Sequence, residues 1–255
     1  MQFCLELAFG VLVALAFVPR APVGRLFYRV MGTTAVAPVL VALAIPIWQS
    51  GELQDPVIGF AALAVLAHPV YSGYSAPIHD RRLAIAVGLS LVGVAGGVWW
   101  IIQRNAELAA LESVLVTASA LATGAVAGSV GLAMVLGHWY LTVPKLEVRF
   151  LQKLNRVTLV SMVLSAVLIA VTCVVFRASL SEGVYPLFGP TGLFYLGTRL
   201  VTGLAFPIAF SFMAASALRF QNTRSATGIL YASTVLVLIG TAVSVSLQDS
   251  YGVPL

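Results

Sequence analysis

Long apolar stretches alternate along this chain with gaps of very unequal charge, and that alternation limits its fold more than any other feature. A helix needs roughly 20 apolar residues to cross a bilayer's hydrocarbon layer. Stretches at 2–19, 33–48, 56–74, 83–102, 106–140, 157–176, 191–218 and 226–247 meet or approach that length. The fourteen Lys and Arg residues fall mostly in four alternate gaps. The first holds Arg20, Arg25 and Arg29; the second holds Arg81 and Arg82. The third holds Lys145, Arg149, Lys153 and Arg156; the fourth holds Arg219 and Arg224. Only Arg104, Arg177 and Arg199 lie elsewhere. Lys and Arg resist translocation and stay on the cytoplasmic side. With eight crossings and both termini outside, every basic-rich gap is cytoplasmic, and Glu52, Asp55, Glu107, Glu182 and Asp249 lie outside. Merging or splitting one helix would put basic gaps on the wrong side. The expectation is an all-α integral membrane protein, a single polytopic domain over residues 1–255, in a bacterial-type inner (plasma) membrane.

Composition agrees: 60% of the 255 residues are hydrophobic and 9% are charged, against about 25% charged in a soluble domain. The net charge of +5 flanks the apolar stretches, so positive-inside retention accounts for it without a nucleic-acid partner. Cys4 and Cys173 lie in apolar stretches without metal or haem-attachment spacing, and read as small buried hydrophobes. The first stretch begins almost at Met1 and basic residues follow it, which fits an uncleaved first helix better than a signal peptide.

Local features refine the plan. The second stretch is short, with Pro38 and Pro46 as kink points, and the fifth is too long to stand upright. Gly124 and Gly128 form a G-x-x-x-G beside Ala127 and Gly131, which suits close helix approach in lipid; Gly88, Gly93, Gly96 and Gly97 offer the same in the fourth stretch. Residues 146–156 repeat basic side chains on one face and Leu146, Phe150 and Leu154 on another, the pattern of an interfacial amphipathic helix facing anionic lipid or a cytoplasmic partner. Pro186, Gly189 and Pro190 mark the longest outer loop, 177–190.

An ionisable side chain inside a span costs about 2.5–3.5 kcal/mol on insertion scales. Glu6, Glu112 and Arg199 all lie roughly 8–12 Å below the outer boundary at 1.5 Å per residue. Arg199 and Glu112 are the expected pair, and the candidate catalytic residues, with Glu6 free to reach the interface. Two readings stay open: a structural ion pair, or a proton-linked or quinone head-group site.

The second constellation lies toward the cytoplasm. His68 precedes Pro69, Tyr71 and Tyr74, and His138 is followed by Trp139 and Tyr140. His68, His138, Trp139 and Tyr140 are the candidate cofactor-binding residues. A histidine donating to a quinone carbonyl with aromatic rings packed on it, two histidines ligating a b-type haem, and an interfacial aromatic belt are all compatible with the pattern. His79, beside Asp80, Arg81 and Arg82, reads as a solvated loop residue. No Walker-type phosphate loop, H-E-x-x-H, G-x-S-x-G or G-x-G-x-x-G occurs, and no cysteine set holds an iron–sulfur cluster.

The aromatic start 193–197, the centre from Gly203 to Pro207 and the late run 236–240 resemble the NrfD/polysulfide-reductase membrane-anchor family, and the eight-helix layout resembles the DmsC-type anchors. That resemblance implies a quinone-interacting membrane subunit paired with iron–sulfur and molybdenum subunits. The chain departs from the family in lacking a long outer loop for such a partner. The expected function is therefore a membrane subunit of a respiratory or redox complex that engages quinone. The alternatives are a small-solute or ion transporter coupled at Glu112 and Arg199, and a structural assembly subunit or haem b anchor.

Overall fold

The computed structural model describes residues 1–255 except 19–20, 51–55, 75–79, 106–107, 144–145 and 183–184. Gln2–Ala16 forms α1, Gly24–Ser50 α2, Pro56–Ser72 α3, Asp80–Asn105 α4, Ala110–Thr142 α5 and Arg149–Val175 α6. A short α7, Arg177–Ser181, precedes α8, Pro190–Leu200; a π-helical turn at Val201–Ala205 runs straight into α9, Phe206–Arg219, and α10 is Thr223–Tyr251. The described residues contain no strand. Among the described residues, six helical segments are long and apolar enough to cross a membrane: Gly24–Ile45, Asp80–Arg104, Ala110–Thr142, Arg149–Val175, Pro190–Arg219 and Thr223–Tyr251. The chain is thus an all-α, multi-pass membrane protein.

Some expected boundaries move. The second helix begins at Gly24, so the short stretch 33–48 is part of a 27-residue helix that includes Pro38. In contrast, α1 has 15 residues and α3 has 17, which rise only roughly 22 and 26 Å. The interfacial helix expected at 146–156 is no separate element. From Arg149 onward it is the first turns of α6, with Leu151 and Leu154 fully buried and Lys153 Nζ over the Phe17 ring at 5.5 Å. Its apolar face meets protein rather than lipid.

The helices form two four-helix rings. In the first, α1 packs on α2, α2 on α3, α3 on α4 and α4 back on α1. In the second, α5 packs on α6, α6 on α9, α9 on α10 and α10 back on α5. The rings share a seam where α5 meets α1 and α4. A Cβ on Gly124 would strike the backbone of Glu6, and one on Gly128 the backbone of Gly10. The register rises along both helices, so α1 and α5 run parallel. Three glycines let two backbones touch where any side chain would hold them apart. The other expected glycine, Gly131, faces open space; in α4, Gly93 meets the Phe60 carbonyl and Gly96 its ring.

The outward faces suit lipid: Val160, Val163, Leu164, Val167, Val171 and Val174 on α6 are all exposed. At the basic end an aromatic layer ties the rings together. Trp139 Nε1 donates to the Val23 carbonyl at 3.2 Å and its ring meets Phe27 edge-on at 5.5 Å. Tyr28 donates to the Val18 carbonyl at 2.7 Å and packs on Tyr74.

Candidate functional site

Interior polarity separates the two rings. In the first, the buried polar side chains among the described residues are Glu6 and Ser90, beside the tyrosines Tyr28, Tyr71 and Tyr74. In the second, every helix contributes. Helix α5 brings Ser119 and Thr123; α6 brings Asn155, Thr158, Ser165 and Thr172; α9 brings Ser211; α10 brings Ser233, Thr241 and Ser244. On α6 the spacings are three, seven and seven residues, which keeps these groups on one helical face.

Arg199 sits among them with no exposed surface. Its Nη2 donates to Thr123 Oγ1 at 3.1 Å and to Ser165 Oγ at 3.3 Å, and its Nε to the Leu255 backbone oxygen at 3.3 Å. Thr123 spends its own proton on the Ser119 carbonyl at 3.2 Å, leaving its oxygen to accept from the guanidinium. Space for the guanidinium comes from two glycines. A Cβ on Gly203 would lie 3.1 Å from Arg199 Nη1 and one on Gly240 3.5 Å, and the two glycine backbones would collide if either carried a side chain. Gly203 lies in the π-helical turn that follows Arg199, a distortion often found at functional positions in helices.

Several buried polar atoms of this ring have no hydrogen-bond partner among the described residues: Arg199 Nη1, Asn155 Oδ1, Thr172 Oγ1, Ser233 Oγ and Ser113 Oγ. Leaving such an atom unsatisfied costs about 1–3 kcal/mol, and five of them lie in this ring against His68 Nε2 in the other, so this interior suits polar contacts. Among the described residues, no Asp or Glu side chain is hydrogen-bonded to Arg199, whose partners are Thr123, Ser165 and the Leu255 oxygen.

The expected pairing of Arg199 with Glu112 is not what the structure shows. Glu112 lies in the first turn of α5, where its Oε2 accepts from the Ala109 N–H at 3.0 Å, a helix-capping role. The buried acid is Glu6, at 3% exposure. It does not reach out to the interface: its Oε1 accepts from Gln2 Nε2 at 2.7 Å, and Gln2 Oε1 in turn accepts from Gln248 Nε2 at 2.8 Å. This chain of side chains links α1 to α10 across the seam.

The candidate cofactor residues scatter. His68 belongs to the first ring; its ring stands edge-on to Tyr71 at 5.4 Å and its buried Nε2 has no partner among the described residues. His138 belongs to the second ring, exposed, with Nδ1 3.3 Å from the Tyr231 hydroxyl on α10. Trp139 points to the start of α2, and Tyr140 donates to the Glu147 carbonyl. Successive helical residues diverge by about 100°, so these three side chains meet three different elements and share no common ring slot. The structure does not bring His68 and His138 together: α3 packs on α2 and α4, whereas α5 packs on α1, α4, α6 and α10. His79 lies outside the described residues. Among the described residues, no group of three or more His, Cys, Asp or Glu is placed to hold a metal ion.

The Ser and Thr stripes went unread in the sequence, although their spacing on α6 and α10 was there to find. Against so apolar a background, hydroxyls that bond their own helix pass as neutral filler.

No protein-family model matches the chain, and no curated protein or solved structure matches it either.

Proposed function

We propose that this chain crosses the membrane eight times with both ends on the outer face, and that its second ring binds and passes a small anionic solute at Arg199. The alternation of basic gaps supports eight crossings, with α1 and α3 as the short members, held among longer neighbours. The observation that carries the anion reading is a wholly buried guanidinium that donates to the Thr123 and Ser165 hydroxyls, with Nη1 left without a partner among the described residues. A fixed arginine lining a polar interior favours anions over cations. Glu6, the buried acid whose backbone meets Gly124 beside Thr123, is the residue we assign to coupling, in the place that Glu112 holds in the sequence reading. The test is reconstitution. Proteoliposomes should take up a labelled small anion from a panel of carboxylates, phosphate and halides, and Arg199→Gln should abolish that uptake while the protein still folds. Uptake equal in both proteins, or absent for the whole panel, defeats the reading.

A second reading is a quinone-engaging membrane subunit of a bacterial inner-membrane redox complex. One observation favours it: the exposed His138 imidazole, hydrogen-bonded to Tyr231, at the basic end of α5. In that case partner subunits supply the electrons. Quinone extraction and a visible spectrum of the purified protein decide it, since bound quinone supports a head-group contact and a Soret band supports a haem.

A further inference from the structure

A long apolar groove of about 820 Å³ runs down the outward side of the first ring, between α1 and α2. One wall is a single face of α2, from Leu26 to Val41 at steps of three and four residues; Cys4 and Leu7 of α1 form the other. Leu26, Val30 and Val41 are exposed there. The two hydroxyls on this face are already engaged with their own helix. Thr33 Oγ1 donates to the Arg29 carbonyl at 2.8 Å and Thr34 Oγ1 to the Val30 carbonyl at 3.0 Å, which leaves the wall neutral. The lining carries charge at Arg29, toward the basic end of the helix. Arg25, one turn earlier, is exposed on the same side of α2. A smaller groove of about 340 Å³ between α3 and α4 repeats the plan, with Leu66, Val70, Ile85 and Leu89 as walls and Arg82 at its basic end.

We propose that the groove between α1 and α2 is a binding site for one anionic phospholipid, with its phosphate at Arg29 and Arg25 and one acyl chain laid along α2 toward Val41. Length selects a lipid over a partner helix. Arg29 to Val41 spans roughly 18 Å at 1.5 Å per residue. That is close to the hydrocarbon depth of one leaflet, about 15 Å, and well short of the roughly 30 Å that a transmembrane helix fills. Charge selects the headgroup. Two arginines one turn apart at a membrane boundary attract an anionic lipid more than a zwitterionic one. Shape holds the chain: seated in the groove it meets both walls, whereas on a convex helix face it meets one, and each added contact contributes dispersion. The site lies on the first ring, so it stands whatever the second ring carries.

Photocrosslinking tests the site. The full chain is reconstituted in phosphatidylcholine bilayers that contain a small fraction of a probe lipid. The probe carries a diazirine near the end of one acyl chain, on either a phosphatidylglycerol or a phosphatidylcholine headgroup. After illumination, peptide mapping should find the phosphatidylglycerol probe on Cys4, Leu7 and the α2 face near Val41. It should exceed the phosphatidylcholine probe there by at least about fivefold, as one arginine contact of about 1 kcal/mol supplies. Arg25→Gln with Arg29→Gln should bring the two probes level. Arg82→Gln, in the other groove, should leave the ratio at these residues unchanged. Ala37→Trp fills the groove without touching its charge and should remove both probes from it. All four positions are exposed, so each variant should elute as folded protein. Equal crosslinking by the two probes in the parent overturns the headgroup. A loss with Arg82→Gln as large as with the double change overturns the site, since surface charge alone would then set the ratio. No probe on these residues overturns the lipid, and a dimer formed by oxidising Val41→Cys would then give the groove to a second copy of the chain.

Discussion

Arg199 on α8 donates to Thr123 on α5, Nη2 to Oγ1 at 3.1 Å, and this bond joins the polar interior of one ring to the seam between both. The residue after Thr123 is Gly124, whose bare Cα lies against the Glu6 backbone. One turn of α5 therefore carries the guanidinium on one side and the buried acid's helix on the other. That placement sets the backbone of Glu6 and the Arg199 guanidinium against adjacent residues of one turn.

A double-mutant cycle checks that coupling. Arg199→Leu alone leaves Glu6 buried without a compensating charge and is expected to destabilise the detergent-solubilised protein by about 3–5 kcal/mol. Arg199→Leu with Glu6→Gln should cost less than the sum of the two single changes, with a coupling of about 0.5–3 kcal/mol. The same cycle with Glu112→Gln should be additive, because that carboxylate caps α5. Additivity for Glu6, measured by thermal or denaturant unfolding, would refute the link.

The seam predicts a sharp contrast among glycines of one helix. Gly128→Val puts a branched side chain into the Gly10 backbone and should prevent α1 from docking, seen as loss of monodisperse protein. Gly131→Ala meets nothing within 4 Å and should be neutral or stabilising by up to about 1 kcal/mol, through helix propensity. A tolerated Gly128→Val would mean that the parallel crossing of α1 and α5 is misplaced.

Much of this architecture was legible because membrane helices announce themselves by apolar length, and the G-x-x-x-G at Gly124 and Gly128 announces close approach. The partner, Gly10, was not legible, since one glycine in a 15-residue helix carries no spacing signal. Depth counting brought Glu6, Glu112 and Arg199 to one level but said nothing of azimuth, and azimuth decided the pairing. Glu112 faces the N–H groups of its own helix start, while Glu6 faces the seam. The same blindness grouped His138, Trp139 and Tyr140. They are adjacent in sequence, but a helix turns them toward α10, the start of α2 and Glu147. The two-ring arrangement left no readable internal repeat, because lipid-facing positions accept almost any apolar residue and only the touching backbones constrain sequence.

Topology follows from the charge pattern. Single cysteines at Lys153 and Arg224 should react with a permeant thiol reagent only, and cysteines at Glu182 and Ser250 should react with an impermeant one added outside. Label at residue 250 from the cytoplasmic side would mean an odd number of crossings and would remove α1 or α3 from the count.

His138 separates the two functional readings. Its ring is exposed and its one bond is to Tyr231 at 3.3 Å, so His138→Ala should change stability by no more than about 0.5 kcal/mol and leave anion uptake intact. A fall in quinone-linked turnover of an assembled complex, or loss of bound quinone, would instead favour the redox reading and relegate Arg199 to a structural role.

The far end of the polar interior gives the most discriminating substitution. Asn155 Nδ2 donates to the Ser211 carbonyl at 2.9 Å, while its Oδ1 is buried without a partner among the described residues. An amide satisfied at one end only contributes little net stability, since the hydrogen bond it makes is offset by the acceptor it leaves bare. Asn155→Leu, close in volume, is therefore expected to shift stability by no more than about 1 kcal/mol in either direction. If the hydroxyl-lined interior from Arg199 to Asn155 is a solute path, the same change sets an apolar constriction across it. Anion uptake should then fall about tenfold or more, with binding at Arg199 unchanged. If the interior is only a structural network, uptake and stability should move together, with the loss at Ser211 appearing in both. Measuring uptake and unfolding on one preparation of Asn155→Leu tells these apart. A variant that is as stable as the parent and transports as well would remove Asn155 from the path and confine the site to the Arg199 end.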